Sequence, residues 1–302
     1  MKLRADNLVR KYGARTVVKG VSIEVNQGEI VGLLGPNGAG KTSLIRMITT
    51  ITKADSGTIF LDGELLNAKH PERIGYMPEE RGLYKKMKVG EQLMYLAQLK
   101  GMTAPHARRE IEYWLNKFEI QHWWNKKVEE LSKGMQQKAQ FISTVLHQPE
   151  LLILDEPFSG LDPLNANLIK DEIYELNRKG TSIIFSTHRM EQVEEICTRM
   201  VLINKGQNIL EGEVAEVKNR FKKNLFSVQY NGALDTAIFD GIAEVTTKTD
   251  KEVVLHLLAD TNANDILSIL LQKNIPIIGF NEILPSLNEI FIQEVSGKGI
   301  NQ

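Results

Sequence analysis

Eight residues, Gly35-Pro36-Asn37-Gly38-Ala39-Gly40-Lys41-Thr42, constrain this chain more than any other feature. They fit the spacing GxxxxGK[ST] and directly follow the unbroken apolar run Ile30 to Leu34. Apolarity without alternation reads as a strand covered on both faces, the habit of parallel sheets flanked by helices. After the loop, Leu44, Ile45, Met47 and Ile48 recur at helical spacing. Strand, glycine turn and helix together make a phosphate cradle. Glycines let backbone N–H groups curl around phosphate oxygens, and the helix points its positive end at the anion. Lys41 is expected to neutralise the terminal phosphates, and the Thr42 hydroxyl to reach a Mg²⁺ that accompanies them.

The same buried-strand signal returns at Leu151–Leu154 and Ile183–Phe185, while Val21, Ile23 and Val25 alternate like a half-exposed antiparallel strand. Between about 86 and 150 the pattern is helical: Val89, Leu93 and Leu96, then Ile111, Trp114, Leu115 and Phe118. The expected fold is α/β, a parallel-sheet core with an antiparallel subdomain and a helical subdomain. At 302 residues there is room for a second domain. Charge marks its start. From Phe221 onward six Lys face ten Asp+Glu, net -4, against -1 for the whole chain. The polar run Lys218 to Asn224 gives expected domains of 1–220 and 221–302, the latter a small α+β unit built on Val253, Leu255, Leu257 and an apolar-faced segment after Asn264.

Apolar residues at 42% and charged residues at 25% are the balance of a chain that buries a full core. Near-neutral charge argues against general nucleic-acid binding. Cys197 is the sole cysteine, so no disulfide forms within the chain, and a buried helical position is expected for it. No run reaches the roughly 18–20 apolar residues of a membrane span, and the start lacks a signal-peptide core. A soluble chain is expected, with any membrane role exercised through a partner.

At the end of the Leu151 strand stand Asp155 and Glu156. An acidic pair there places the first carboxylate against a nucleotide-bound Mg²⁺ and the second where it can take a proton from water. Ser132, ahead of the helical pattern Met135, Ala139, Ile142 and Leu146, reads as a helix N-cap. The segment Leu131-Ser132-Lys133-Gly134-Met135-Gln136-Gln137 also resembles the signature motif of ABC ATPases, usually LSGGQ.

With that resemblance an ordered set of motifs falls into place over residues 12 to 188. Tyr12 sits where the family stacks an aromatic ring on adenine. Gly35 to Thr42, with Ser43, matches the phosphate loop, and Leu151 to Glu156 matches the strand that carries the catalytic Glu. Ser159-Gly160-Leu161-Asp162 matches the D-loop, and Thr187-His188 matches the switch histidine. The resemblance implies ATP and Mg²⁺ as ligands, Glu156 and His188 as catalytic groups, and Thr42, Glu79 and Asp155 at the metal. It also implies a head-to-tail homodimer, or a pair with a similar ATPase, that sandwiches two ATP molecules. Ser132 and Gly134 would act on the partner's ATP, and Asp162 would couple the subunits. A separate integral membrane permease would be driven by this pair, so the expected location is cytoplasmic, peripheral on the inner face of the membrane.

Two departures from the family pattern change a charge. Tyr76-Met77-Pro78-Glu79 has Glu where the family has Gln, and Lys133 replaces a Gly of the signature. Both changes, with Glu79-Glu80-Arg81-Gly82-Leu83-Tyr84, resemble a branch of ABC-2-type exporter ATPases that includes sodium-efflux, NatA-like proteins. The acidic C-terminal domain resembles the appendage of some exporter ATPases, for which a dimer-stabilising or regulatory role is expected. Two other readings stand beside this one. A nucleotide-gated regulator with weak hydrolysis is disfavoured by the presence of Glu156 and His188. A ribosome- or nucleic-acid-associated ABC ATPase is disfavoured by a single phosphate loop, no heptad run and near-neutral charge.

Overall fold

The computed structural model describes residues 1–80, 82–259 and 261–295, and the chain divides into two compact units, Met1–Val214 and Ala215–Gln302. The first is organised by strand β3, Ile30–Leu34, whose five residues are all buried. It lies inside a six-stranded sheet. To one side run β8 (Ser182–Thr187), β7 (Leu151–Asp155) and β6 (Ile74–Met77), and to the other β9 (Arg199–Asn204) and β10 (Gln207–Glu213). All neighbours pair in parallel except β10, which turns back antiparallel on β9. The register aligns Leu34 with Thr187 and Asp155 with Ser186. It therefore brings the residues that follow β3, β7 and β8 to one edge of the sheet, where parallel α/β sheets bind ligands.

A separate antiparallel sheet holds β1 (Leu3–Tyr12), β2 (Arg15–Val25), β4 (Ser56–Leu61) and β5 (Glu64–Leu65), in the order β2-β1-β4-β5. Val18, Val21, Ile23 and Val25 of β2 point into the core with Leu3, Ala5 and Leu8 of β1. Helix α1 (Lys41–Ile48) buries Leu44, Ile45, Met47 and Ile48 against the same core. The helical part comprises α2 (Val89–Leu99), α3 (Ala104–Lys117) and α4 (Lys133–Val145). Thr103 precedes a Pro-containing first turn of α3, and Ser132 caps α4 by accepting from Met135 N at 3.3 Å. Trp114 and Trp123 are buried. Trp124 packs onto α2 so closely that a Cβ at Gly90 would lie 2.6 Å from its ring, and Arg108 stacks on that ring at 5.1 Å. Helices α5 (Pro163–Arg178) and α6 (Met190–Ile196) complete the unit. Cys197 is buried, as expected, but stands just past α6 as its C-cap, and burial raises its thiol pKa. Among the described residues, no helix is long and apolar enough to cross a membrane.

Helix α7 (Val214–Arg220) leads into the second unit. Its antiparallel sheet orders β12 (Ala243–Lys248), β13 (Glu252–Leu257), β11 (Leu225–Tyr230) and β14 (Ile277–Ile283). Val253, Leu255 and Leu257 alternate inward and pack with Val228, Tyr230 and Phe239. Helix α8 (Ala263–Gln272), capped by Asn262, adds Ile266 and Leu270 to that core, and α9 (Leu287–Val295) follows.

Candidate functional site

Between β3 and α1 the chain adopts backbone angles that side chains avoid, with φ of 152° at Gly35, 79° at Gly38 and 111° at Gly40. Gly35 admits no substitute, because a Cβ there would sit 2.2 Å from the Ile203 carbonyl oxygen. Gly40 leads into α1, whose first N–H groups point into the loop. Lys41 is folded back across the turn, donating from Nζ to the carbonyls of Gly35 at 2.6 Å and Pro36 at 3.4 Å. Burial lowers the pKa of this ammonium group, and the nearby carboxylates of Glu156, Asp155 and Glu79 oppose that shift.

Asp155, the last residue of β7, is buried. It accepts from the Ser186 hydroxyl at 2.7 Å and from the Thr42 hydroxyl at 3.1 Å. Burial pushes its pKa up, against those two donors and Lys41. Next in the chain, Glu156 turns through a left-handed conformation with φ 51°. Its carboxylate accepts from Thr187 Oγ1 at 3.1 Å and from the His188 N–H at 2.8 Å, and it meets His188 Nδ1 at 2.5 Å. The turn and the register of β7 on β8 place this pair together. Glu79, just past β6, lines the same cavity of about 280 Å³ with residues 37–43, Val17, Asp155 and Glu156.

At the end of β1, Tyr12 is 42% exposed. A hydrogen bond with Ser43 lowers its hydroxyl pKa, and the Arg10 guanidinium lies over the ring at 4.9 Å. Ser132, Gly134 and Asp162 do not line the cavity. Ser132 is exposed, a Cβ placed on Gly134 would stand 3.7 Å from the Gly160 carbonyl oxygen, and Asp162 caps α5 by accepting from Asn165 N at 3.0 Å. Of the block Glu79 to Tyr84, Arg81 lies outside the described residues. Sequence reasoning missed Ser186, which holds Asp155, and Gln137 and Gln140 of α4, which bond the backbone beside Glu156 and Glu79. Hydroxyls closing a fully buried strand are unusual enough to have flagged Ser186. The two glutamines read only as helix-compatible polar residues.

Among the described residues no group of three His, Cys, Asp or Glu could hold a metal ion. That fits Mg²⁺ arriving with a nucleotide, because this ion binds through one or two carboxylates plus phosphate oxygens and water. Thr42, Asp155 and Glu79 supply only oxygen donors, the type it prefers.

Comparison with known proteins gives a consistent result. The ABC transporter family matches residues 18–159, and the family described as ATP-binding protein DrrA1-3-like, C-terminal domain, matches residues 212–295. An uncharacterized ABC transporter ATP-binding protein of Bacillus subtilis, YhaQ, is 44% identical over 294 residues, 97% of this chain and 98% of that protein. The ABC transporter ATP-binding protein NatA of B. subtilis is 36% identical, covering 65% of this chain and 81% of its own. The lipopolysaccharide export system ATP-binding protein LptB of Haemophilus influenzae is 33% identical, covering 72% and 92%. Among solved structures, an ATP-binding subunit of an ABC transporter superposes with a TM-score of 0.69 at 30% identity, over 73% of this chain and 93% of that one. A dimeric bacterial ABC transporter cassette, MJ0796, does so at 0.65 with 22% identity, over 70% and 98%, and supports the fold.

Proposed function

The chain belongs to the ABC transporter ATP-binding proteins and is an ATPase of that class; from that premise we propose that two copies pair head to tail around two ATP molecules and drive a separate membrane permease. The observation that carries the proposal is the convergence of Lys41, Thr42, Asp155 and Glu156 on one cavity beside a glycine loop. In this reading the N–H groups of residues 37–43 and Lys41 hold the phosphates, and the exposed Tyr12 ring receives the adenine. Thr42, Asp155 and Glu79 hold Mg²⁺, which would supply charge neutralisation at the phosphates. Charge supports the metal: three carboxylates stand around a single Lys41, so a bare triphosphate would meet net repulsion.

Glu156 acts as general base. Its carboxylate is already fixed by Thr187 and His188, which orients it before a substrate arrives. His188 Nδ1 faces Glu156, so Nε2 is free to reach outward toward phosphate or water. Ser132 and Gly134 serve the partner's ATP, for which an exposed helix N-terminus without acidic residues in its first turn is suited. Asp162, at the start of α5, couples the copies. Export is the favoured direction, because the relative LptB belongs to a lipopolysaccharide export system, and the groove walled by Tyr76, Pro78, Leu83, Leu96 and Leu99 would receive the permease. The acidic domain 221–302 stabilises or regulates the pair. The protein would then lie at the cytoplasmic face of a membrane.

Light scattering of the purified protein tests the pairing. Glu156→Gln is expected to form a dimer only with ATP and Mg²⁺, while the wild type turns over and stays largely monomeric. A Glu156→Gln variant that binds ATP yet remains monomeric at every protein concentration would defeat the proposal.

A further inference from the structure

One row of α4 meets, in sequence order, the 159–162 turn, the backbone beside Glu156, the backbone beside Glu79 and strand β6. Gly134 faces the 159–162 turn: a Cβ placed on it would stand 3.6 Å from Leu161 Cδ2 and 3.7 Å from Gly160 O. Three residues on, Gln137 donates from Nε2 to the Pro157 carbonyl at 3.0 Å, immediately after Glu156. Three further, Gln140 donates to the Pro78 carbonyl at 2.8 Å, immediately before Glu79. Thr144 ends the row, its carbonyl oxygen 2.7 Å from where a Cβ on Gly75 of β6 would stand. Spacings of three and four put all four residues on one helix face.

Both glutamines are buried, Gln137 at 1% and Gln140 at 3% exposure. In each, the Oε1 atom has no hydrogen-bond partner. A buried amide with an orphaned acceptor is costly, and Leu or Met would fill the same space without that penalty. Packing alone therefore does not account for glutamine at either place. Its Nε2 bond does. Each bond grips a carbonyl one residue away from a carboxylate of the site, and no other side-chain donor to Pro78 O or Pro157 O is present among the described residues.

We propose that Gln137 and Gln140 are positioning residues that couple the exposed N-terminus of α4 to Glu156 and Glu79 of the same chain. This rests on the reading that the α4 N-terminus engages a partner's ATP. When that end is drawn onto the phosphate of the second copy, the helix moves as a unit. The two amides carry the displacement to the Pro157 and Pro78 carbonyls, and so to both carboxylates of the other site. Each nucleotide thereby sets the geometry at its neighbour through one rigid element with two hydrogen-bonded outlets.

The test uses the full chain carrying Gln137→Leu or Gln140→Leu, with ATP turnover followed against ATP concentration. Loss of one directed hydrogen bond is expected to lower kcat about 5- to 10-fold. KM and the thermal midpoint should hold, and the Hill coefficient should fall toward 1. In the Glu156→Gln background, each substitution should leave the ATP concentration for dimerisation unchanged, because Ser132 and Gly134 are intact. A double variant, Glu79→Gln with Gln140→Leu, should turn over like Glu79→Gln alone, since Gln140 acts through Glu79. Wild-type kcat and Hill coefficient in both single variants would overturn the inference, as would fully additive effects in the double variant. A wild type without ATPase activity, or a Glu156→Gln chain that never pairs, would instead sink the underlying reading.

Discussion

Gly134→Ala separates what the chain needs to fold from what a pair of chains needs to work. Gly134 is the second residue of α4 and has an ordinary backbone conformation, so its replacement is not strained. The added methyl would meet only Leu161 Cδ2 at 3.6 Å and Gly160 O at 3.7 Å, both normal contact distances. Alanine is favoured over glycine within a helix by about 0.5–1 kcal/mol, so the folded chain should gain about that much. For a domain of this size the thermal midpoint should rise by roughly 1–4 °C. Turnover should move the other way. If the α4 backbone closes on a phosphate of the second copy, a methyl holds them apart by about 1 Å, a misplacement that can cost about 100-fold. Thermal unfolding and ATP hydrolysis on the same preparation decide the matter. Full turnover would refute close approach at Gly134, and a lowered midpoint would refute the local packing. Gly35→Ala is the contrast: with its Cβ 2.2 Å from Ile203 O, it should lose stability and nucleotide binding together.

Thr187→Val keeps the shape of a fully buried side chain but removes the hydroxyl that bonds Glu156 Oε2 and accepts from Arg189 N, both at 3.1 Å. Stability should fall by about 1–2 kcal/mol and kcat by about 10-fold with KM little changed, and an unchanged kcat in a steady-state assay would remove Thr187 from the positioning of Glu156. Acid should weaken the fold through Glu150 and Glu175, whose pKa values are each held down to about 2 by hydrogen bonds, from Arg73 and Lys2 and from Lys117 and Lys179 respectively. Because these folded-state values lie below the ordinary 4.5, the stability they supply is complete above that pH and is lost as pH falls from 4.5 toward 2. Both side chains are about a third or more exposed, so roughly 1 kcal/mol in total is expected. Thermal midpoints of Glu150→Gln measured from pH 7 to 3 should show a shallower decline than wild type, and parallel curves would contradict the assignment.

The runs Ile30–Leu34 and Leu151–Leu154 were legible because a strand covered on both faces leaves no room for polar residues, and the groups at their ends were legible because their chemistry sits next to them in the chain. The neighbours across space were not. Lys2 is 2% exposed and bonds Asp62 at 2.8 Å and Glu150 at 2.5 Å, contacts that span 60 and 148 positions and leave no local pattern. Gln137 and Gln140 fall on helical spacing, but nothing in a helical pattern says which carbonyls lie opposite. Trp124 beside Trp123 does not say what its ring covers. The absence of a side chain at Gly90 lets that half-buried ring come close to α2. In each case the missing information is what a distant segment presents, not what the local segment prefers.

The two departures from the family pattern oppose one another in charge. Glu79 adds a negative charge to a cavity already holding Asp155 and Glu156, and Lys133 adds a positive one to the first turn of α4, which carries no acid. If α4 of one copy meets the nucleotide of the other, Lys133 brings its ammonium group toward the field of Glu79 and the phosphates. Lys133→Gly should then weaken ATP-dependent pairing in the Glu156→Gln background. The weakening should be marked at low ionic strength and fade at high salt, where the Debye length falls to about 3 Å at 1 M. Glu79→Gln should weaken pairing in the same direction by removing one partner of that attraction, and the double substitution should cost less than the sum of the two. Equal ATP midpoints for all four proteins at low salt would show that the two changes do not compensate, and that the excess carboxylate at Glu79 is balanced within its own chain.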